Sequence, residues 1–470
     1  MGLKFNLIGE DRRRYFELAG KNYPRHTSYP GAPYWSSEPD QESVEKIYKI
    51  AGHRNRFSLY VHVPFCQSLC FYCGCTRDIV KNPNLAEQKS LKWLNGLESE
   101  ITAKATVWGK PKVFQVHLGG GTPTFLTLAH LEKLLKLLES EFDFAKNAEK
   151  SIELDPRVTS FEQIELLAKY GFNRVSLGVQ DFDVRVQKAV NRIQSFEMVR
   201  DLTDASRRLG FKVNFDLICG LPFQTLESIE SNIDKVLSLS PDRIAWYRFA
   251  MIPDLFKWQK GFQKNDLPDG EKLLDMNLLA INKFSKDGYY FIGLDHFAKR
   301  EDTLTKAMLN GNITRNFQGM SVGSDLDIIG LGPSAISQFS EGFIQNPKSI
   351  DRWAECYQNE SAMYQLSPIC KLDKDDKIRA YIIKHLYCYG YVDVNRIEKK
   401  FGINFKSYFC FELDELKDFD QKGMIEIDDQ TVSLSRVSGR LLVRAVASVF
   451  DKYFNQVNHG LANPRFSRIG

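Results

Sequence analysis

The chain has 470 residues, 43% apolar and 26% charged, and its 63 basic and 59 acidic side chains leave a formal net charge of +4. That length exceeds what one core usually fills, so two or three structural units are expected, and the balanced charge argues against a nucleic-acid partner. No run of about 18 apolar residues marks a spanning helix, and the opening MGLKFNLIGEDRRRYF lacks the apolar segment of a secretory signal. The expected compartment is the cytoplasm, where thiols stay reduced. Nine cysteines is an odd number, and five of them (Cys219, Cys356, Cys370, Cys388, Cys410) are scattered, as buried small hydrophobes are.

Residues 1–56 show no sustained periodicity and contain the turn-rich YPRHTSYPGAPYW, which predicts an irregular arm packed on the rest. From Phe57 short strand-like runs alternate with capped helices: FSLYVHV, VFQVHL, SIELD, RVSLGVQ, VNFDLI, RIAWYRFAM and YYFIGLD. Ser160 with Gln163 forms a capping box before a helix that stops at Gly171; Ser195 and Thr225 open two more. This alternation predicts parallel strands joined by right-handed crossovers. Six or seven units suit an open or partial (βα) barrel, with chemistry on loops at the C-terminal strand ends. After about residue 365 helices are followed by the hairpin MIEIDD–TVSLS and a last long helix near GRLLVRAVASVFDKYF. That order resembles a winged helix, but its would-be recognition helix carries the acidic DELKDFDQ, which favours a lid over a DNA contact.

Four cysteines stand in HVPFCQSLCFYCGC, spaced Cys66-x3-Cys70-x2-Cys73-x-Cys75. A structural zinc site needs a second ligand pair, and none stands at suitable spacing nearby. Gln67, Ser68 and Gly74 make the stretch a loop, so inert core thiols are a poor reading. Three cysteines on one loop can ligate three irons of a [4Fe–4S] cubane, leaving the fourth iron open. The glycine run Gly119, Gly120, Gly121 behind VFQVHL serves either a tight turn or close approach of backbone to a ligand.

These residues resemble a family. Cys-x3-Cys-x2-Cys after the first strand of a βα repeat resembles the radical S-adenosylmethionine (SAM) enzymes, and LYVHVPFC with LCFYCGC is similar to the oxygen-independent coproporphyrinogen III oxidases. The likeness extends through TSYP (27–30), HLGGGTPTFL, SIELDPR, FNRVSLGVQDF, DLICGLP, GLDHFA, RNFQG, LGPSAIS, GRLLVR and FSRIG. It implies an α/β fold: a partial (βα)6 TIM-like barrel over 57–365, an arm over 1–56, and a helical, winged-helix-like domain over 366–470.

The resemblance implies that Cys66, Cys70 and Cys73 hold a [4Fe–4S] cluster and that Cys75 is no ligand. It implies a first SAM near Tyr60, Gly120, Gly121, Thr122, Glu153 and Ile336. A second SAM would lie near Gln180, Arg192, Asp216 and Ala250, with Gly121 and Thr122 between the two. From residue type alone Tyr60 reads as a core aromatic, and Arg192 and Asp216 as solvated or paired charges. The implied reaction converts two propionates of coproporphyrinogen III to the vinyl groups of protoporphyrinogen IX, with loss of CO2. It implies an electron donor such as flavodoxin or ferredoxin, a terminal electron acceptor, and a monomer. Arg25, Arg315 and Lys299 are candidate partners for propionates, and Arg25 with Tyr29 for covering the site. Thr76, Gly31, Pro33, Arg248 and Pro333 depart from the family pattern. The alternatives are a radical SAM enzyme acting on another tetrapyrrole and a haem-binding chaperone, which typically lacks the Cys-x-Cys pair and the TSYP arm.

Overall fold

The structure, a computed structural model, describes residues 6–19, 22–323, 326–358, 362–435 and 438–457. Its centre is a run of parallel strands: β1 (Phe57–Val63), β2 (Lys112–Gly120), β3 (Asp143–Leu154), β4 (Arg174–Gln180), β5 (Lys212–Cys219) and β6 (Arg243–Arg248). They lie side by side in chain order, as right-handed crossovers dictate. Asp327–Leu331 adds a further parallel strand beside β1, and three antiparallel strands extend that edge to Ile369–Lys371.

The two faces of the sheet differ in chemistry. Leu59, Val61, Val116, Leu118, Ile152, Val175 and Phe215 are buried against the helices. The alternate positions His117, Glu153, Ser176, Asp216 and Tyr247 line an inner cavity, as the two-residue period of a strand requires. Helix starts follow local capping: Ser160 and Thr225 form capping boxes, and Ser195 accepts from Met198 N. The first of these helices gives way at Gly171, at φ 74°.

YYFIGLD does not pair with β6 as the parallel expectation has it. Tyr289–Gly293 pairs antiparallel with His296–Lys299, which itself runs antiparallel to β6. Tyr289–Gly293 still runs in the direction of β6, as in a βαβ unit, but the return strand His296–Lys299 is interposed between the two. The arm also holds more regular structure than its sequence pattern suggests, with helices at Gly9–Ala19 and Gln41–Arg54. Asp40 caps the second by accepting from Ser43 N.

The long helix Pro83–Trp108 buries Glu100 completely. Its carboxylate accepts from Lys104 (2.6 Å), Gly332 N (2.7 Å), Asn346 (2.8 Å) and Trp353 (3.0 Å), which pins the LGPSAIS turn to the helix. Toward the C-terminus, helix Lys374–Tyr389 is followed by a three-stranded antiparallel sheet with Thr431–Leu434 in the middle. The expected last helix is broken into Ser438–Leu441, Val443–Val449 and Lys452–Val457. Asp451 accepts from Tyr453 N and Phe454 N and so restarts the chain as a new helix. FSRIG lies outside the described residues. Among those residues no helix is long and apolar enough to cross a membrane.

Candidate active site

The cysteine loop is held at the C-terminal end of β1 by neighbouring backbone. Gly121 N donates to Val63 O and Thr122 N to Phe65 O, both at 2.8 Å, so the loop and the glycine turn share hydrogen bonds. Further along, Phe71 N donates to Val190 O at 2.9 Å and Asn191 Nδ2 to Leu69 O at 2.8 Å. Gly120 adopts φ 110°, and a Cβ there would lie 2.6 Å from the His62 ring. Only glycine fits that left-handed, crowded position.

A cavity of about 150 Å³ opens between this loop and the strand ends. Cys66, Cys70 and Cys73 line it, and so do Gly120, Gly121, Thr122, Glu153, Gln180, Arg192 and Asp216. The structure thus brings together residues that lie far apart along the chain. Tyr60, Ala250 and Ile336 do not line it. Tyr60 donates to or accepts from His62 Nδ1 at 2.9 Å and stacks on His117. Ala250 follows β6, where its carbonyl accepts from Gln259 at 3.2 Å. Ile336 begins the strand after the LGPSAIS turn. Lys299 is elsewhere: its ammonium donates to Ser240 O and Oγ, closing the end of helix Leu226–Leu239. Tyr29 lines a second cavity of about 410 Å³ and its hydroxyl accepts from Lys452 N at 3.3 Å.

Charge is arranged around Cys70. Arg157 and Arg192 both reach its sulfur, at 3.6 and 3.7 Å. Asp155 bridges the two guanidiniums, 2.6 Å from Arg157 and 3.1 Å from Arg192. Burial pushes the Asp155 carboxyl up, but Arg192 and Arg157 outweigh it and hold the group below its usual range. Arg192 is further fixed by donating to Gly178 O at 2.7 Å. Burial lifts the Cys66 thiol to about 11, whereas the Cys75 thiol, donating to Cys73, is the largest cause of a Cys73 value near 6. Glu153 accepts from Gly120 N and His117 Nε2, both at 3.2 Å. Burial first and the Glu153 charge second raise Asp216 to about 7, against the 2.8 Å hydrogen bond from Ser176. Gln180 adopts φ 64°, an uncommon conformation for a side-chain-bearing residue and one that recurs at functional sites.

Sequence reasoning passed over Tyr72, Arg77, Asp155, Arg157 and Ser176, all on the cavity wall. Asp-Pro-Arg at the end of the third strand was the visible signal for Asp155 and Arg157, since a charged pair at a C-terminal strand end reads as a site in this architecture. The donor set fits an iron–sulfur cluster. Four cysteines line one cavity, Cys66, Cys70, Cys73 and Cys75, guanidinium donors stand beside one of them, and bare glycine backbone lines the same cavity.

The geometry defines a class, and the comparisons agree. A sequence profile of the Radical SAM superfamily matches residues 60–236. The chain is 39% identical over 435 residues to the oxygen-independent coproporphyrinogen III oxidase of Salmonella typhimurium, covering 92% of this chain and 93% of that one. It is 37% identical over 466 residues to the Pseudomonas aeruginosa enzyme of the same name, covering 98% of each. The solved coproporphyrinogen III oxidase from Escherichia coli, a radical SAM enzyme, superimposes with a TM-score of 0.86 at 36% identity, over 96% of this chain and all of that one. The chain belongs to the oxygen-independent coproporphyrinogen III oxidase family.

Proposed function

We propose that this protein decarboxylates two propionates of coproporphyrinogen III oxidatively, without oxygen, to give the vinyl groups of protoporphyrinogen IX in haem biosynthesis. The carrying observation is the thiol-lined cavity at the strand ends of a chain that matches named oxidases from end to end. In this reading Cys66, Cys70 and Cys73 hold a [4Fe–4S] cluster and Cys75 supports Cys73 without ligating iron. When bound, cluster and SAM supply one-electron hydrogen abstraction at a propionate β-carbon, a chemistry that belongs to the cofactor.

The chain's own residues bind, orient and exclude water. Gly120 and Gly121 present backbone without side chains, so a ligand can lie against them. Glu153 is held by Gly120 N and His117 as an acceptor for a ligand ammonium. Tyr60 and Ile336 back this first SAM position from behind. Gln180, Arg192 and Asp216 make a second, with Ala250 beyond the cavity wall just after β6 and Arg192 offering a guanidinium to a carboxylate. Residues 1–56 act as the arm, 57–365 as the catalytic barrel and 366–470 as a cover. A small reducing protein such as flavodoxin or ferredoxin supplies electrons, a separate acceptor takes the electron left after CO2 departs, and the enzyme works as a cytoplasmic monomer.

Anaerobic reconstitution with iron and sulfide, followed by SAM, reductant and coproporphyrinogen III, tests the reading. Vinyl product with CO2 release is expected, and SAM cleavage without decarboxylation overturns the substrate. Alanine at Cys66, Cys70 or Cys73 is expected to abolish cluster iron, whereas Cys75→Ala keeps it.

A further inference from the structure

Where the arm meets the sheet, four arginines crowd around one carboxylate. Arg25 forms an ion pair with Asp295, which sits in the turn between strands Tyr289–Gly293 and His296–Lys299. Arg315, from the hairpin of RNFQG, donates to the Arg25 carbonyl at 3.3 Å. It lies over the Tyr387 ring at 5.2 Å, is only 8% exposed, and its buried Nε has no hydrogen-bond partner among the described residues. Arg444, 5% exposed, donates to the carbonyls of Tyr23 and Pro24 and so holds the same stretch of arm. Arg248 ends β6, and its side chain makes no hydrogen bond among the described residues.

Burial lowers Arg248, Arg315 and Arg444 from the usual guanidinium range. For each of them Asp295 is the carboxylate that opposes the shift, and the Arg25 charge adds to it. Arg315 is a buried cation without a carboxylate in contact among the described residues, and such charge is costly unless an anion completes it. Arg315 lines the cavity of about 410 Å³ beside His26, Ser28 and Tyr29 of the arm, which gives such an anion room to stand.

We propose that Arg25 and Arg315 receive a carboxylate of the ligand, and that Asp295 is a resident counter-ion that holds Arg25 until the ligand arrives. The ligand class is a tetrapyrrole with peripheral propionates, which rests on the function proposed above. A guanidinium suits the planar, bidentate shape of a carboxylate, and Arg315 keeps a buried Nε without a partner among the described residues. Asp295 then acts against ligand binding: it stabilises the empty site and competes for Arg25 with the incoming group.

The test uses the cluster-loaded enzyme under anaerobic conditions and coproporphyrin III, the aromatic and unreactive form of the macrocycle, with fluorescence as the readout of binding. Arg25→Gln and Arg315→Gln are expected to weaken binding about 10- to 100-fold, the range of a charged hydrogen bond. Asp295→Asn is expected to tighten it severalfold. Opposite signs cannot come from general misfolding. The tetramethyl ester of coproporphyrin III is expected to bind all four proteins alike. Equal affinity of wild type and both arginine variants for the acid overturns the proposal, as does an Asp295→Asn protein weakened like Arg25→Gln. If coproporphyrin III binds as expected but the wild type forms no vinyl product, the site stands and the reaction falls. If the wild type forms product while the variants bind unchanged, the reaction stands and the site falls.

Discussion

Asp155→Asn is the most informative single change in the cluster cavity. The carboxylate sits between Arg157 and Arg192 at 2.6 and 3.1 Å, with 8% of its side chain exposed and 7% of that of Arg192. An ion pair at about 4 Å carries roughly 4 kcal/mol at the effective dielectric of a protein site, and breaking a buried pair by removing one partner costs about 3–5 kcal/mol. Arg157 keeps 18% side-chain exposure and can turn toward water, so the low end applies, about 3 kcal/mol. Urea unfolding of the cluster-free protein, followed by tryptophan fluorescence, reads this directly. The cluster-loaded variant is expected to lose less, because negative sulfurs at Cys70 then face the two guanidiniums. A loss below about 1 kcal/mol in the cluster-free protein, or a larger loss in the loaded one, refutes the view that Asp155 is the counter-ion of both arginines.

Gly121→Ala puts a Cβ 2.7 Å from Phe65 O and 2.9 Å from Phe65 N and Val63 O, all backbone. Overpacking of this kind costs about 1–3 kcal/mol, and the shifted loop is expected to lower iron content after reconstitution. Glu100→Ala strands buried Lys104 and three other donors, so a loss of about 3–5 kcal/mol is expected in the urea midpoint. Asp216 keeps its proton in the folded state up to about pH 7, whereas its ordinary value is 3.8. The folded protein therefore binds the extra proton between those values, and stability falls as pH rises through that window. Asp216→Asn is expected to flatten this part of the stability–pH curve of the SAM-free protein.

The parallel run β1 to β6 was legible because each strand is short, apolar on alternate positions and followed by a helix with a readable cap. The cysteine loop and glycine turn were legible for a similar reason: both are local, and their residue types carry the chemistry. The return strand at His296–Lys299 was not, since a four-residue run just behind YYFIG carries no local sign that it inserts between that strand and β6. Asp155 and Arg157 were hidden because an ion pair two residues apart looks like ordinary surface charge until the fold brings Arg192 and Cys70 to it. The second break in the last helix depended on the Asp451 side chain capping the next turn of chain, and Asp within an apolar helical pattern reads as a tolerated polar position. The contacts of Glu100 with Gly332, Asn346 and Trp353 join residues more than 200 positions apart, beyond any local signal.

With Arg25 and Arg315 receiving a propionate as proposed, the protein gains a way of weighing its cargo. A macrocycle arrives with four carboxylates, and each turnover removes one negative charge from it. Electrostatic grip therefore slackens in steps as the reaction advances, with the half-processed tricarboxylate held more tightly than the finished dicarboxylate. Asp295 sharpens the difference, because it reclaims Arg25 more easily from a weaker rival. Commitment to the second decarboxylation and release of the final product would then follow from one imbalance of charge, with no separate sensor for completion.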